Sequence, residues 1–328
     1  MPTTDEIEQS YRLVQPHMDA LDVLMSEILS ADVECVDDML KYAGRYSGKR
    51  LRPALVFIIG GMCGETNDKH VRLGAVVELI HMATLVHDDV LDRATVRRNH
   101  ESVNIRWNNK DAILLGDIMF ARAIRLLVTI GNMRALDLLT GAVSTICEGE
   151  IQQNQLSGDF SVDFATYEQI IQRKTASLYA AGCELAALLG GAREELVAGF
   201  SEFGMSLGTA FQIIDDCLDL TGDESVVGKS LGTDIKNGKM TLPLIHLLSK
   251  LAEPEKSKVE ELIQRDNCTD EEVVEIRELL SVHGSIEHAF TLARKYVQDS
   301  LEPLRDLLPA RDFTVVQEIA GFVLERRQ

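Results

Sequence analysis

The chain has 328 residues, 45% of them apolar, and a mean hydropathy near zero, the balance of a soluble protein with a sizeable core. Its 52 acidic against 33 basic residues leave a net charge of −19, which disfavours broad contact with nucleic acid or an anionic membrane surface, so any anionic substrate has to be met by local bases. No uncharged apolar run reaches the roughly 20 residues of a membrane span, and the acidic start Met1-Pro2-Thr3-Thr4-Asp5-Glu6 leads into no apolar segment, so a cytoplasmic chain with no secretory signal and no transmembrane segment is expected.

Aromatic residues make up only 5%, and no proline interrupts Ala54 to Leu242, which argues for long helices rather than sheets. From Glu6 to Ala43 apolar residues recur at three- and four-residue spacing (Leu21, Leu24, Ile28; Val36, Met39, Leu40), the pattern of amphipathic helices. Gly44, Ser47 and Gly48 break it; Leu51 to Ile59 resumes it, with Pro53 where a first helical turn tolerates one. Lys69 to Leu91 reads as a buried helix whose C-terminal end turns acidic, and the polar stretch Arg93 to Asn109 as a loop. Ala112 to Ile130, Ala135 to Leu156, Tyr167 to Leu189 and Glu195 to Leu220 carry helical periodicity, with Gly131-Asn132, Ser157-Gly158 and Gly190-Gly191 as stops. A Gly- and Lys-rich loop is expected from Thr221 to Gly238, and more highly charged helices beyond Pro243. No linker or low-complexity tract appears, so the expectation is one all-α domain over residues 1–328, a bundle of many helices. The six cysteines are scattered without a CxxC pair and read as reduced core residues.

Two helix ends share one pattern: His87-Asp88-Asp89-Val90-Leu91-Asp92 and Ile214-Asp215-Asp216-Cys217-Leu218-Asp219. The first and third aspartates of each are four residues apart and so face the same way on a helix, with Cβ atoms roughly 5–6 Å apart. Two such carboxylates can grip a hard cation; Mg²⁺ suits them, because it keeps several waters and completes its shell with substrate phosphates. One copy alone reads more readily as a solvated helix end. Both copies, however, follow apolar segments in which unpaired carboxylates repel one another unless something cationic joins them. Bases gather nearby in sequence: Lys49, Arg50 and Arg52 at a glycine-led helix start, Arg97-Arg98 after the first motif, Lys174 before an apolar stretch, and Lys229 and Lys239 flanking the Gly-rich loop. Each alone is an ordinary solvated base; together, in so acidic a chain, they point to phosphorylated substrates.

Gly48-Lys49-Arg50-Leu51-Arg52-Pro53, Glu78 to Asp89, Arg97-Arg98, Leu115-Gly116-Asp117, Glu148-Gly149-Glu150, Lys174-Thr175-Ala176, Phe211 to Asp216 and Gly228-Lys229…Gly238-Lys239-Met240-Thr241-Leu242-Pro243 occur in the order seen in the trans-prenyl diphosphate synthases, which this chain resembles over most of its length. The resemblance implies an all-α fold around a large central cavity, a homodimer, and head-to-tail prenyl elongation. It assigns Asp88, Asp89, Asp92, Asp215, Asp216 and Asp219 to Mg²⁺, which holds the allylic diphosphate. Arg97, Lys174, Lys229 and Lys239 would contact that diphosphate, and Lys49, Arg52, His81 and Arg98 the diphosphate of isopentenyl diphosphate. Thr175 and Gln212 would place oxygens near the developing carbocation. Two departures stand out: Ser47 occupies the place of a usual glycine, and Asn99 follows the arginines where glycine is frequent, although Asn also accepts left-handed backbone geometry.

One turn before the first motif, Ala83 and Thr84 lie roughly 5–8 Å deeper along the helix. In the family bulky side chains at this level stop chain growth, so these small residues suggest a geranylgeranyl or longer product, hexaprenyl to octaprenyl as the best range. The competing reading makes Ala83 a packing residue and puts the floor elsewhere, for instance between Leu138 and Ile151. Other functions fit less well. A terpene cyclase usually carries an Asn/Ser/Glu motif second, a non-catalytic subunit of a two-component synthase is expected to lose aspartates, and an HD-type phosphohydrolase needs further His and Asp that are not evident. His87 has a packing or capping role as its alternative; His81 has the stronger functional case.

Overall fold

The structure is a computed structural model and describes residues 4–46, 48, 50–221, 232–264 and 268–325. Lys49 and Lys229, both assigned above to diphosphates, lie outside the described residues. Helices carry nearly all of the rest: α1 (Thr4–Ile28), α2 (Glu34–Ala43), α3 (Leu51–Cys63), α4 (Asp68–Leu91), α5 (Val103–Arg106), α6 (Asn109–Thr129), α7 (Met133–Gln155), α8 (Phe164–Ile171), α9 (Ser177–Leu189) and α10 (Glu194–Thr221). They continue with α11 (Thr233–Lys236), α12 (Leu242–Lys250), α13 (Glu255–Gln264), α14 (Asp270–Val282), α15 (Ser285–Arg305) and α16 (Ala310–Glu325). This is the expected all-α architecture.

Sequence pattern explains each helix's depth. In α4, Val71, Leu73, Val76, Val77, Leu79, Ile80, Met82, Ala83 and Val86 are all buried and occupy every side of the helix, so α4 runs through the centre, between α3 and α6. By contrast α15 buries one stripe, Ala289, Ala293, Val297, Ser300 and Leu304, at three- and four-residue spacing, and lies on the outside of α10. Asn67 begins α4 with a capping box, its side chain accepting from Lys69 N–H at 3.0 Å while His70 Nδ1 faces Asn67 N–H at 3.2 Å. The second motif helix, α10, packs lengthwise on α9.

The Glu6 to Ala43 periodicity resolves into the two helices α1 and α2, as its pattern predicts. Three features depart from the sequence-based expectations. The expected helix over Tyr167 to Leu189 is interrupted by a π turn at Gln172–Ala176, a local widening that re-aims Lys174 and Thr175. Glycines let neighbours press on this turn: a Cβ at Gly149 of α7 would lie 2.9 Å from Lys174 N, and one at Gly208 of α10 only 2.6 Å from Ala176 Cα. The supposed loop Arg93 to Asn109 holds α5 and a hairpin, β1 (Val96–Arg97) antiparallel to β2 (His100–Glu101). Its two turn residues, Arg98 and Asn99, have φ of 50° and 62°, the left-handed pair that a tight hairpin requires. Two-residue strands leave no alternation to read in the sequence. Finally, Cys183, Cys217 and Cys268 are buried as expected, but Cys35 and Cys147 are exposed, because they fall on the outer faces of α2 and α7.

Candidate active site

The C-terminal ends of α4 and α10 open on one cavity of about 670 Å³. Asp88 and Asp92 line it from α4, Asp215 and Asp216 from α10, and Arg52, His81, Arg97, Lys174, Thr175, Gln212 and Lys239 complete the polar wall. Leu85, Phe120, Ile146, Ile171, Leu178 and Phe211 supply apolar lining.

Helical spacing decides which aspartates face this space. Asp89, one position round α4 from Asp88, is fully buried, and Arg97 Nε and Nη2 donate to its Oδ1 at 2.8 and 2.6 Å. Asp219, three positions beyond Asp216, is also fully buried and accepts from Asp234 N–H at 3.1 Å, holding the start of α11. Neither is among the cavity-lining residues, so each supports the site from behind. Ala83 is likewise fully buried and absent from the lining, whereas Thr84 borders it. Arg98 lies outside the lining too, with its guanidinium where a Cβ on Gly48 would come within 2.5 Å of Nη2.

The π turn feeds a hydrogen-bonded chain. Thr175 Oγ1 donates to Gln212 Oε1 at 2.7 Å, Gln212 Nε2 donates to Asp216 Oδ1 at 2.8 Å, and Tyr167 Oη donates to Asp216 Oδ2 at 2.6 Å. Beside it Lys174 pairs with Glu150 and donates to Gln153 Oε1 at 3.0 Å. Lys239 Nζ donates to Asp92 Oδ1 at 2.8 Å and lies 3.8 Å from Asp234, so the segment after the second motif reaches back to the first. Arg52 stacks its guanidinium 4.4 Å from the ring centroid of Tyr179.

Burial and like charges set the electrostatics. Burial, with Glu150 and Asp92 adding to it against Lys174, pushes the Asp88 carboxyl up to about 6. Burial and then Asp234 push Asp216 up to about 7. Burial opposes the charge on Lys174, but Asp88 and Glu150 more than offset it and hold the ammonium protonated. Burial, reinforced by Arg52 and Arg98, holds His81 well below its ordinary value and therefore neutral. The crowded carboxylates of Asp88, Asp92, Asp215 and Asp216 suit a divalent cation, which would relieve their repulsion. Among the described residues no three such side chains already converge on a single ion, so part of its shell would come from water and diphosphate oxygens.

Residues 33–280 match the polyprenyl synthetase family. The chain belongs to that family. It is a prenyltransferase. It is 30% identical to the octaprenyl diphosphate synthase of Escherichia coli over 92% of this chain and 93% of the relative. It is 36% identical to an all-trans-nonaprenyl-diphosphate synthase of Rhodobacter capsulatus over 88% of each, and 31% identical to a geranylgeranyl diphosphate synthase of Methanosarcina mazei over 99% and 98%. Among solved structures, a polyprenyl synthase from Caulobacter crescentus complexed with calcium and isoprenyl diphosphate superposes with a TM-score of 0.94 at 34% identity, covering 98% of both chains.

Residue type and spacing assign no role to Glu150, Gln153, Tyr167 or Asp234, yet they hold or face the charged groups of this cavity. Glu150 stands in the Glu148-Gly149-Glu150 motif quoted above, but only the tertiary structure shows that it and Gln153, one turn on along α7, face Lys174. Tyr167 and Asp234 leave no comparable signal. His87 packs against α6, its Nε2 3.0 Å from Ile113 O and 2.2 Å from where a Cβ on Gly116 would lie, and it also borders the cavity.

Proposed function

We propose that the chain catalyses Mg²⁺-dependent head-to-tail condensation of isopentenyl diphosphate with an allylic diphosphate, giving a trans-polyprenyl diphosphate of geranylgeranyl length or longer. The convergence of Asp88 and Asp92 from one helix with Asp215 and Asp216 from another, among Arg52, Lys174 and Lys239 and above an apolar wall, carries this reading. Asp88, Asp92, Asp215 and Asp216 would hold Mg²⁺, which when bound neutralises charge on the departing diphosphate. Asp89 and Asp219 act through Arg97 and the start of α11. Lys174 and Lys239 grip the allylic diphosphate; Lys229 would join them. Arg52, His81 and Arg98, with Lys49, hold isopentenyl diphosphate, and the neutral imidazole of His81 donates a hydrogen bond without adding charge.

Ionisation of the allylic C–O bond leaves an anion stabilised by these fixed cations and a carbocation beside Thr175 and Gln212. The isopentenyl double bond attacks that cation, and a proton leaves to the released diphosphate. The apolar wall excludes water that would quench the cation. Relatives named for geranylgeranyl, octaprenyl and nonaprenyl products support a product in that span, with hexaprenyl to octaprenyl as our reading. Exposed Ile113, Leu114, Ile124 and Val128 on the outer side of α6 support a homodimer, and the absence of any described helix able to cross a membrane agrees with a cytoplasmic enzyme.

Incubation of the purified protein with labelled isopentenyl diphosphate and each allylic starter, with Mg²⁺ or with EDTA, tests the reading. Metal-dependent label in prenyl diphosphates longer than the starter is expected; no elongation with any starter refutes it.

A further inference from the structure

Away from the catalytic cavity, the end of α2, Arg45 just beyond it and the segment from α5 to Trp107 border an open surface pocket of about 590 Å³, lined by Asp38, Lys41, Tyr42, Arg45, Arg106 and Trp107. Tyr42 is buried and its hydroxyl donates to Glu101 O at 2.8 Å, which fixes the ring. The guanidinium of Arg45 lies 5.2 Å from that ring's centroid and the guanidinium of Arg106 4.6 Å from it. Arg106 also lies 5.2 Å from the Trp107 ring, which meets Tyr42 edge-on at a centroid distance of 5.2 Å. Aromatic faces, not carboxylates, therefore hold both guanidiniums: among the described residues neither forms an ion pair. Lys41 is compensated by Asp37 at 2.6 Å, which leaves Asp38 as the acid lining this space.

Two guanidiniums held by one ring in a chain of net charge −19 present a local positive site with its donor edges free for an oxyanion. We propose that this pocket binds a phosphate-bearing anion, its oxygens taken by Arg45 and Arg106 and the rest of the ligand resting on Trp107. The shared chemistry is the phosphate group; free diphosphate and the headgroup of an anionic lipid are its two sources. None of its lining residues borders the catalytic cavity.

Trp107 is the only tryptophan in the chain, so intrinsic fluorescence reports on this pocket directly. The full-length protein in EDTA at low salt would be titrated with inorganic diphosphate and, separately, with phosphatidylglycerol or phosphatidylcholine vesicles, alongside Arg45→Ala and Arg45→Gln. Arg45 is exposed and touches Tyr42 rather than Trp107, so both variants should keep the wild-type melting temperature, prenyl transfer rate and starting fluorescence. A saturable response to diphosphate, weakened about tenfold or more in the variants, is the expected result for a free anion. The same pattern with phosphatidylglycerol vesicles alone supports the site with a lipid headgroup as its source. No saturable response to either probe, or an undiminished one in both variants, overturns the proposal.

Discussion

Lys239 and Asp92 are 147 residues apart in sequence, yet their side chains meet at 2.8 Å, tying the segment after the second aspartate motif to the end of the first. The contact closes one rim of the cavity and leaves Asp88 and Asp215 facing inward. It also shows how a chain so acidic offers a local cationic surface to a diphosphate: Lys174 and Lys239, both partly buried, are kept charged by carboxylates of the site itself.

Replacing Asp88 or Asp215 by Ala should lower turnover by about a hundredfold or more, since each removes a carboxylate from the cation-holding wall. Circular dichroism should show an intact helical fold. Full activity in either purified variant would remove the metal assignment.

The two diphosphates should separate kinetically. Arg52→Ala and Arg98→Ala should raise KM for isopentenyl diphosphate roughly tenfold or more, the size of a lost charge-assisted contact, with little change for the allylic substrate. Lys174→Ala should act on the allylic substrate or on kcat. The reverse pattern in initial-rate measurements would mean that the sites are exchanged.

Thr84, not Ala83, borders the cavity, so Thr84→Phe should shorten the product while turnover persists. Ala83→Phe, placed in fully buried packing, should instead cost stability, roughly 1–3 kcal/mol. Chromatography of the products and thermal melts distinguish these outcomes; an unchanged product distribution with Thr84→Phe would move the floor elsewhere.

Asp216 sets a pH dependence of known sign. Its carboxyl is pushed up to about 7, against about 3.9 in an unfolded chain, so the metal-free folded state binds the extra proton. That contribution to stability is present at low pH and is lost as pH rises through about 7. In metal-free protein, melting temperatures measured from pH 5 to 8 should therefore fall more steeply for wild type than for Asp216→Asn. Equal slopes would show that burial does not raise this carboxyl. Removing the metal should matter less at low pH, where protonation already relieves the repulsion.

Gly208→Ala should destabilise the protein by roughly 1–3 kcal/mol and lower activity with it, because its Cβ would fall 2.6 Å from Ala176 Cα and push the π turn off α10. A melt and an activity assay on the same preparation check both effects. Wild-type values in both would mean that the turn tolerates displacement.

By itself the sequence determined the all-α class, the buried course of α4, the two aspartate-bearing helix ends and the family resemblance. These are properties of local periodicity and of residue types at fixed spacing, which do not depend on how helices are arranged. Tertiary structure decided the division of labour within each motif. Asp88 and Asp89 are adjacent and chemically identical, yet a rotation of about 100° between successive helical residues turns one to the cavity and the other onto Arg97. The same holds for Ala83 and Thr84. The π turn, the partnership of Glu150 with Lys174 and the bond from Tyr167 to Asp216 join separate elements, and nothing in local sequence encodes which distant face will meet them.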